Sequence, residues 1–247
     1  MKLRIFKDSE SLSNAAANLF IETAAQAIDA RGRFMVALSG GGSPTGLYRL
    51  LAGETFRDKV DWEKAFIFWG DERCVPPDEE SSNYHQAFEI LLRHVPIPDK
   101  NVLRIQGELT PHEASEEYAQ TLKEFADPNL EWPRLDLALL GMGADGHTAS
   151  LFPGSDIEVN SPTLAVTAHY QSRPANRVTL TPVVLNSARK AVFLVTGKDK
   201  AETLSRVLSN VSMPEQYPAQ HIQPTDGELI WLVDEAAALY ISPKWVE

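Results

Sequence analysis

Asp145 and His147 stand two residues apart in the run Leu139-Leu140-Gly141-Met142-Gly143-Ala144-Asp145-Gly146-His147-Thr148-Ala149-Ser150-Leu151-Phe152-Pro153. A carboxylate and an imidazole at that spacing can be aimed at one substrate by a single loop. Imidazole is the side chain whose unperturbed pKa, about 6.5, suits proton transfer at neutral pH. The glycines allow a tight turn and close approach of backbone to a ligand. Leu135 to Leu140 is an apolar run that reads as a buried strand. A strand that delivers titratable side chains to its carboxyl end matches the site position of open α/β sheets. Gly141-x-Gly143-x-x-Gly146 also fits the dinucleotide fingerprint, but Ala165 to Thr167, about 20 residues on, offers no acid for a ribose. A plain turn with a satisfied histidine is the other alternative. A catalytic loop is the preferred reading.

Three further segments carry polar chemistry. Ser39-Gly40-Gly41-Gly42-Ser43-Pro44-Thr45-Gly46 lies between a strand and a helix, and Leu47 after Gly46 rules out a Walker loop. Free amides and the helix dipole suit a phosphate there, with Ser43 and Thr45 adding hydroxyls. Asp71-Glu72-Arg73 follows the next strand, and an arginine fork can bind two oxygens of an anion. Ser81-Ser82-Asn83-Tyr84 opens a helix and can add polar contacts. Arg177 and Lys198 bring cations to strand ends, Lys198 at a helix start where the dipole repels it unless an anion is bound. No metal-ligand spacing and no G-x-S-x-G elbow occurs. The single cysteine, Cys74, excludes an intrachain disulfide and reads as structural.

The elements that must position these residues alternate. Helices are expected at Ser11 to Ala30, from a Ser43-Pro44 cap to Leu51, at Ser82 to Leu92, after the Thr110-Pro111-His112-Glu113 capping box to Ala126, at Lys198 to Leu208 and from Asp234 to Leu239. Strands are expected at Phe34 to Leu38, Ala65 to Trp69, Leu135 to Leu140, Thr163 to Ala168, Arg177 to Leu180, Ala191 to Val195 and Leu229 to Val233. That alternation predicts an α/β protein with a mostly parallel sheet, as one domain over residues 1–247. A hydrophobic content of 43% is ordinary for a soluble globular chain of 247 residues. The net charge of −11 argues against nucleic acid or an anionic membrane as partner. No signal core and no membrane-length apolar run is present, which points to a cytoplasmic protein.

Leu38-Ser39-Gly40-Gly41-Gly42-Ser43-Pro44, Trp69-Gly70-Asp71-Glu72-Arg73-Cys74-Val75-Pro76 and Gly141 to Gly154, in that order, resemble the 6-phosphogluconolactonase family of the glucosamine-6-phosphate isomerase/deaminase superfamily. The resemblance implies a three-layer α/β/α fold with a mostly parallel, Rossmann-like sheet of the NagB/RpiA/CoA-transferase kind. It implies hydrolysis of 6-phospho-D-glucono-1,5-lactone to 6-phosphogluconate, the second step of the oxidative pentose phosphate pathway, with no cofactor and no metal. His147 corresponds to the family's general base and Arg73 to an arginine that stabilises the substrate or its oxyanion. The candidate catalytic residues are therefore His147, Asp145, Asp71 and Arg73, with either acid able to orient the imidazole. The candidate phosphate-binding residues are Gly40, Gly41, Gly42, Ser43, Thr45, Arg177 and Lys198. The expected partner is a small sugar-phosphate lactone, and the expected state a monomer or weak dimer. Amino-sugar-phosphate deaminases on this fold resemble Asp-Gly-His-Ile-Ala-Phe-Asn-Glu at the histidine loop; here Phe152 stands in place of the glutamate. A non-catalytic sugar-phosphate sensor is the rival from another class, but no DNA-binding extension is evident. Relatives often carry an arginine near Gln223, so a contact there is lost or is replaced by His221.

Overall fold

A computed structural model describes residues 1–241 apart from 156, 158, 159 and 210. Its strands are β1 (Lys2–Phe6), β2 (Phe34–Leu38), β3 (Ala65–Trp69), β4 (Asp71–Arg73), β5 (Leu137–Leu140), β6 (Thr163–Thr167), β7 (Asn176–Leu180), β8 (Lys190–Val195) and β9 (Glu228–Asp234). Its helices are α1 (Ser9–Arg31), α2 (Thr45–Ala52), α3 (Glu54–Arg57), α4 (Asn83–Ile90), α5 (Pro111–Glu124), α6 (Pro182–Leu185) and α7 (Ala201–Val207). Six strands form a parallel sheet in the order β1-β9-β8-β5-β2-β3, with helices on both sides. β2 and β5 are buried at every residue, as strands covered on both faces must be.

Local chemistry explains the main elements. α1 starts where the Asp8 carboxylate accepts from Ser11 N at 2.8 Å and stops at Gly32, whose φ of 73° closes a bond to the Ile28 carbonyl. Its buried stripe is Leu12, Ala16, Phe20 and Ala27, and the alanines let it lie close to the sheet. Gly46 in α2 faces Ser13 so closely that a Cβ would strike the serine hydroxyl. That glycine therefore serves helix packing. The Thr110 capping box forms as expected, with Glu113 returning to Thr110 N.

Several expectations are corrected. Ser43 does not cap α2; Pro44 occupies that position, and the Ser43 hydroxyl meets Thr196 Oγ1 at 3.0 Å. β6 and β7 do not join the parallel sheet but pair antiparallel with each other and with β4 in a second, three-stranded sheet. The segment from Lys198 opens with a short 3-10 turn, Lys198–Lys200, before α7. No helix follows Asp234 among the described residues. That residue ends β9, and its carboxylate accepts from Gly197 N and Ala237 N, closing a turn.

The topology places the site. From β2 the chain moves outward to β3, whereas from β5 it moves the opposite way to β8. The carboxyl ends of the adjacent β2 and β5 thus diverge, which opens the crevice where such sheets bind ligands. Two buried tyrosines fix the strand ends. Tyr48 bonds both the N–H and the carbonyl of Ser39, at 3.1 and 2.7 Å. Tyr118 does the same for Trp69, at 2.8 and 3.0 Å.

Candidate active site

One cavity at this crevice is lined by the loop after β2 (Ser39 to Ser43), by Asp71 and Arg73, by Asn83, by Gly141 to Gly143, His147 and Ala149, by Tyr170, Gln171, Arg173 and Arg177, and by Lys200. Three connections after parallel strands and the small antiparallel sheet therefore converge on it.

The histidine loop is built as a tight, cross-bonded turn. Gly143 N donates to the His147 carbonyl at 2.9 Å, Gly146 N to the Gly143 carbonyl at 3.1 Å, and Thr148 Oγ1 to the Gly141 carbonyl at 2.8 Å. Gly146 has φ 87°, which an L side chain rarely adopts. Asp145 Oδ1 lies 2.6 Å from His147 Nδ1 and also accepts from His147 N at 3.2 Å. Burial raises the Asp145 pKa, and this is outweighed by the hydrogen bonds and charge of His147, so the carboxyl sits below its ordinary range. A carboxylate on Nδ1 keeps the proton there and leaves the Nε2 lone pair available. The imidazole is only 14% exposed and packs between Phe152 and Tyr170, at ring-centroid distances of 4.4 and 4.7 Å.

Asp71 does not share this role. Its Oδ2 accepts from Ser150 Oγ at 2.7 Å and its Oδ1 from Asn83 Nδ2 at 3.3 Å. Of the two acids the sequence left open, Asp145 is the one bonded to the imidazole.

Arg73 and Arg177 are direct partners across β4 and β7, so their side chains leave the same face of the small sheet side by side. Both are buried. Arg73 donates to the Ser81 carbonyl at 2.5 Å and Arg177 Nε to the Pro174 carbonyl at 3.1 Å. Burial lowers the pKa of Arg177, which Asp71 opposes and the neighbouring Arg73 and Arg173 reinforce. Arg73 Nε and Arg177 Nη2 have no partner. Two adjacent buried cations with unpaired donors have the charge and donor set that suit an anion or oxyanion. Glu72 does not neutralise them. Its carboxylate accepts from the backbone N–H groups of Arg73, Asn83 and Tyr84, each at 2.7 Å, and from Ser82 Oγ at 2.9 Å, anchoring the start of α4. Burial pushes its carboxyl up despite those four bonds.

The glycine loop supplies another wall of the cavity. Gly40, Gly41, Gly42 and Ser43 all line it. Gly41, with φ 90°, is clamped by Gln86 of α4, which accepts from its N–H and donates to its carbonyl, both at 3.0 Å. Its amide is thus not free for a phosphate. Thr45 does not line the cavity, because its hydroxyl turns back to the Gly41 carbonyl at 3.2 Å. Lys198 is absent from the lining and Lys200 is present. In a 3-10 turn, side chains two positions apart leave about 240° around the axis, so only one of the pair can face inward. Asn83, Tyr170, Arg173, Gln86 and Lys200 escaped the sequence reading as site residues. Asn83 at least lay in a segment already marked as polar and Lys200 two residues from a marked cation, whereas Tyr170 and Arg173 ride on the β6–β7 loop, which no motif singles out. Gln223 and His221 lie outside the cavity lining. Among the described residues no group of three or more His, Cys, Asp or Glu side chains is placed to hold a metal ion. No helix among them is long and apolar enough to cross a membrane.

Comparison with known proteins bears on this geometry. Residues 7–231 match the family described as glucosamine-6-phosphate isomerases/6-phosphogluconolactonase. A 6-phosphogluconolactonase from a Synechocystis species is 39% identical, over 88% of this chain and 89% of its own. A 6-phosphogluconolactonase from a Nostoc species is 36% identical, over 97% of this chain and 98% of its own. Among solved structures, 6-phosphogluconolactonase from Trypanosoma brucei superposes with a TM-score of 0.83 at 28% identity, covering 98% of each chain.

Proposed function

We propose that this chain, which belongs to the glucosamine-6-phosphate isomerase/6-phosphogluconolactonase family, hydrolyses 6-phospho-D-glucono-1,5-lactone to 6-phospho-D-gluconate in the oxidative pentose phosphate pathway. The observation that carries the mechanism is the Asp145–His147 pair, whose imidazole lines a cavity also lined by two buried arginines with unpaired donors.

A lactone carbonyl is electrophilic enough that water and a base suffice. His147 Nε2 takes a proton from the attacking water as the water oxygen bonds to C1. Asp145 holds the imidazole in the required tautomer and stabilises its charged form, as the acid of a hydrolase triad does. The carbonyl oxygen becomes an oxyanion, which Arg73 and Arg177 stabilise. Collapse of the tetrahedral intermediate breaks the C1–ring oxygen bond, and the proton on His147 passes to the departing ring oxygen. The product acid ionises, so each turnover releases one proton at neutral pH.

The phosphate lies against Gly42, Ser43 and Lys200. This assignment is supported by the Ser43–Thr196 hydroxyl contact, which ties the glycine loop to the segment bearing Lys200. No cofactor or metal enters this scheme. The chain works as one domain, as a monomer or weak dimer in the cytoplasm, with no nucleic-acid partner.

Proton release from freshly prepared lactone, corrected for spontaneous hydrolysis, tests this. Wild type should accelerate hydrolysis, and His147→Ala should lose about 10²–10⁴-fold in kcat. A folded wild type without acceleration would overturn the reaction. Activity retained by His147→Ala would overturn the base assignment alone.

A further inference from the structure

We propose that Asn83 is a specificity-determining contact whose Oδ1 accepts a hydrogen bond from a ring hydroxyl of the substrate. The inference deepens the lactonase reading and rests on it. Asn83 is 2% exposed, yet it borders the cavity. Its Nδ2 donates to the Asp71 carbonyl at 2.8 Å and to Asp71 Oδ1 at 3.3 Å. Both partners are oxygens, and a carbonyl oxygen cannot donate. Turning the amide over would set oxygen against oxygen, so its orientation is fixed with Oδ1 pointing away from Asp71.

That oxygen has no partner in the fold. It sits over Gly40, where a Cβ would overlap both Oδ1 and Cγ and would stand 2.9 Å from Nδ2. Gly40 itself lines the cavity, so the absence of a side chain there seats the amide oxygen at the cavity wall. Two backbone donors nearby are committed elsewhere: Gly41 N–H to Gln86, and Asn83 N–H to Glu72. A buried acceptor left unpaired is costly, so this position requires a donor supplied from outside the fold.

The surrounding orphans identify that donor's chemistry. Among the described residues, the buried side-chain atoms without partners include Ser39 Oγ, Arg73 Nε and Arg177 Nη2, all on residues of the same cavity. The guanidinium atoms only donate, and Asn83 Oδ1 only accepts. A group that accepts from an arginine while donating to Asn83 satisfies both, and a sugar hydroxyl does so. The lactone ring offers three, at C2, C3 and C4.

The test compares kcat/KM for the natural lactone 6-phosphate and its 2-, 3- and 4-deoxy analogues, in wild type and Asn83→Ala. Wild type should discriminate against one analogue by about tenfold or more, and Asn83→Ala should reduce that ratio below about threefold. The ratio is internal to each enzyme preparation, so a loss of folded protein cancels. Asn83→Ser, whose shorter hydroxyl cannot reach the same point, serves if the alanine variant does not fold. Discrimination left intact in the variant would overturn the proposal, making Asn83 a structural support for Asp71. Absence of discrimination in wild type would overturn it also. A wild type that does not hydrolyse the natural lactone would instead remove the lactonase reading.

Discussion

Gly143→Ala adds one methyl group, changes no charge, and should disable the site. Gly143 is not among the residues with positive φ, so its backbone accepts alanine. The new Cβ, however, would overlap Nδ1 and Cε1 of His147 and stand 2.5 Å from Asp145 Oδ1, where ordinary contact begins near 3.4 Å. The loop has little room to retreat, since Gly143 N and its carbonyl are both bonded within the turn, at 2.9 and 3.1 Å. Displacing the imidazole breaks the Asp145 bond, worth about 1.5–3 kcal/mol for a charged group. Keeping it in place costs about 1–3 kcal/mol of overpacking. The two costs are comparable, so each route leaves the base misplaced or strained. The expected result is a fall in kcat of about 10²–10⁴-fold, close to that of His147→Ala. KM should change by less than about threefold, because the phosphate contacts lie on other loops. At roughly 2–4 °C per kcal/mol, the thermal midpoint should drop by about 2–12 °C. Proton-release kinetics would be run beside Gly141→Ala, whose Cβ meets nothing within 4 Å and leaves the pair intact. A folded Gly143→Ala with kcat within about threefold of wild type would refute the claim that this imidazole geometry drives catalysis.

Two further outcomes follow from the same contacts. Glu72→Gln places an amide N–H₂ where backbone donors now meet oxygen, and weakens the charge-assisted bonds that remain. A loss of about 2–4 kcal/mol is expected, lowering the calorimetric midpoint by roughly 5–15 °C; an unchanged midpoint would show that α4 does not depend on this anchor. Burial, and then the charge of Glu72, pushes the Cys74 thiol up to about 11. Its alkylation by iodoacetamide should therefore keep accelerating well above pH 9, and a rate that levels off near the ordinary thiol range would contradict that environment.

The sequence was most legible where covalent pattern and burial coincide. Phe34–Leu38 and Ala65–Trp69 are strands with the boundaries expected, because a short apolar run between turn signals has few alternatives. The mostly parallel sheet followed from the alternation. β4 was invisible, since Asp71-Glu72-Arg73 has no apolar alternation and is a strand only because β7 pairs with it. That pairing also drew β6 and β7 out of the parallel sheet. The run Asp234 to Leu239 has helical composition, and the Asp234 carboxylate accepts from Ala237 N as a cap would, but the same carboxylate also holds Gly197 N and only a turn forms among the described residues. At the site, the Asp145–His147 spacing was readable because one short loop holds both. Tyr170 and Arg173 reach the cavity through a fold-level hairpin, and the choice of Lys200 over Lys198 depends on the phase of one turn.

The register of the outer strands bears on how the chain is made. Residue 2 pairs with residue 230, so β1 has no partner until β9 has been synthesised. β2, β3 and β5, which carry the glycine loop, the arginine segment and the histidine loop, pair among themselves well before that point. On a ribosome the catalytic crevice can take shape while the first strand still lacks its partner in the sheet. The most distant pairing must close last, and it is the slow, aggregation-exposed step. Chaperone demand during synthesis should therefore track β1 and β9 far more than the residues that do the chemistry.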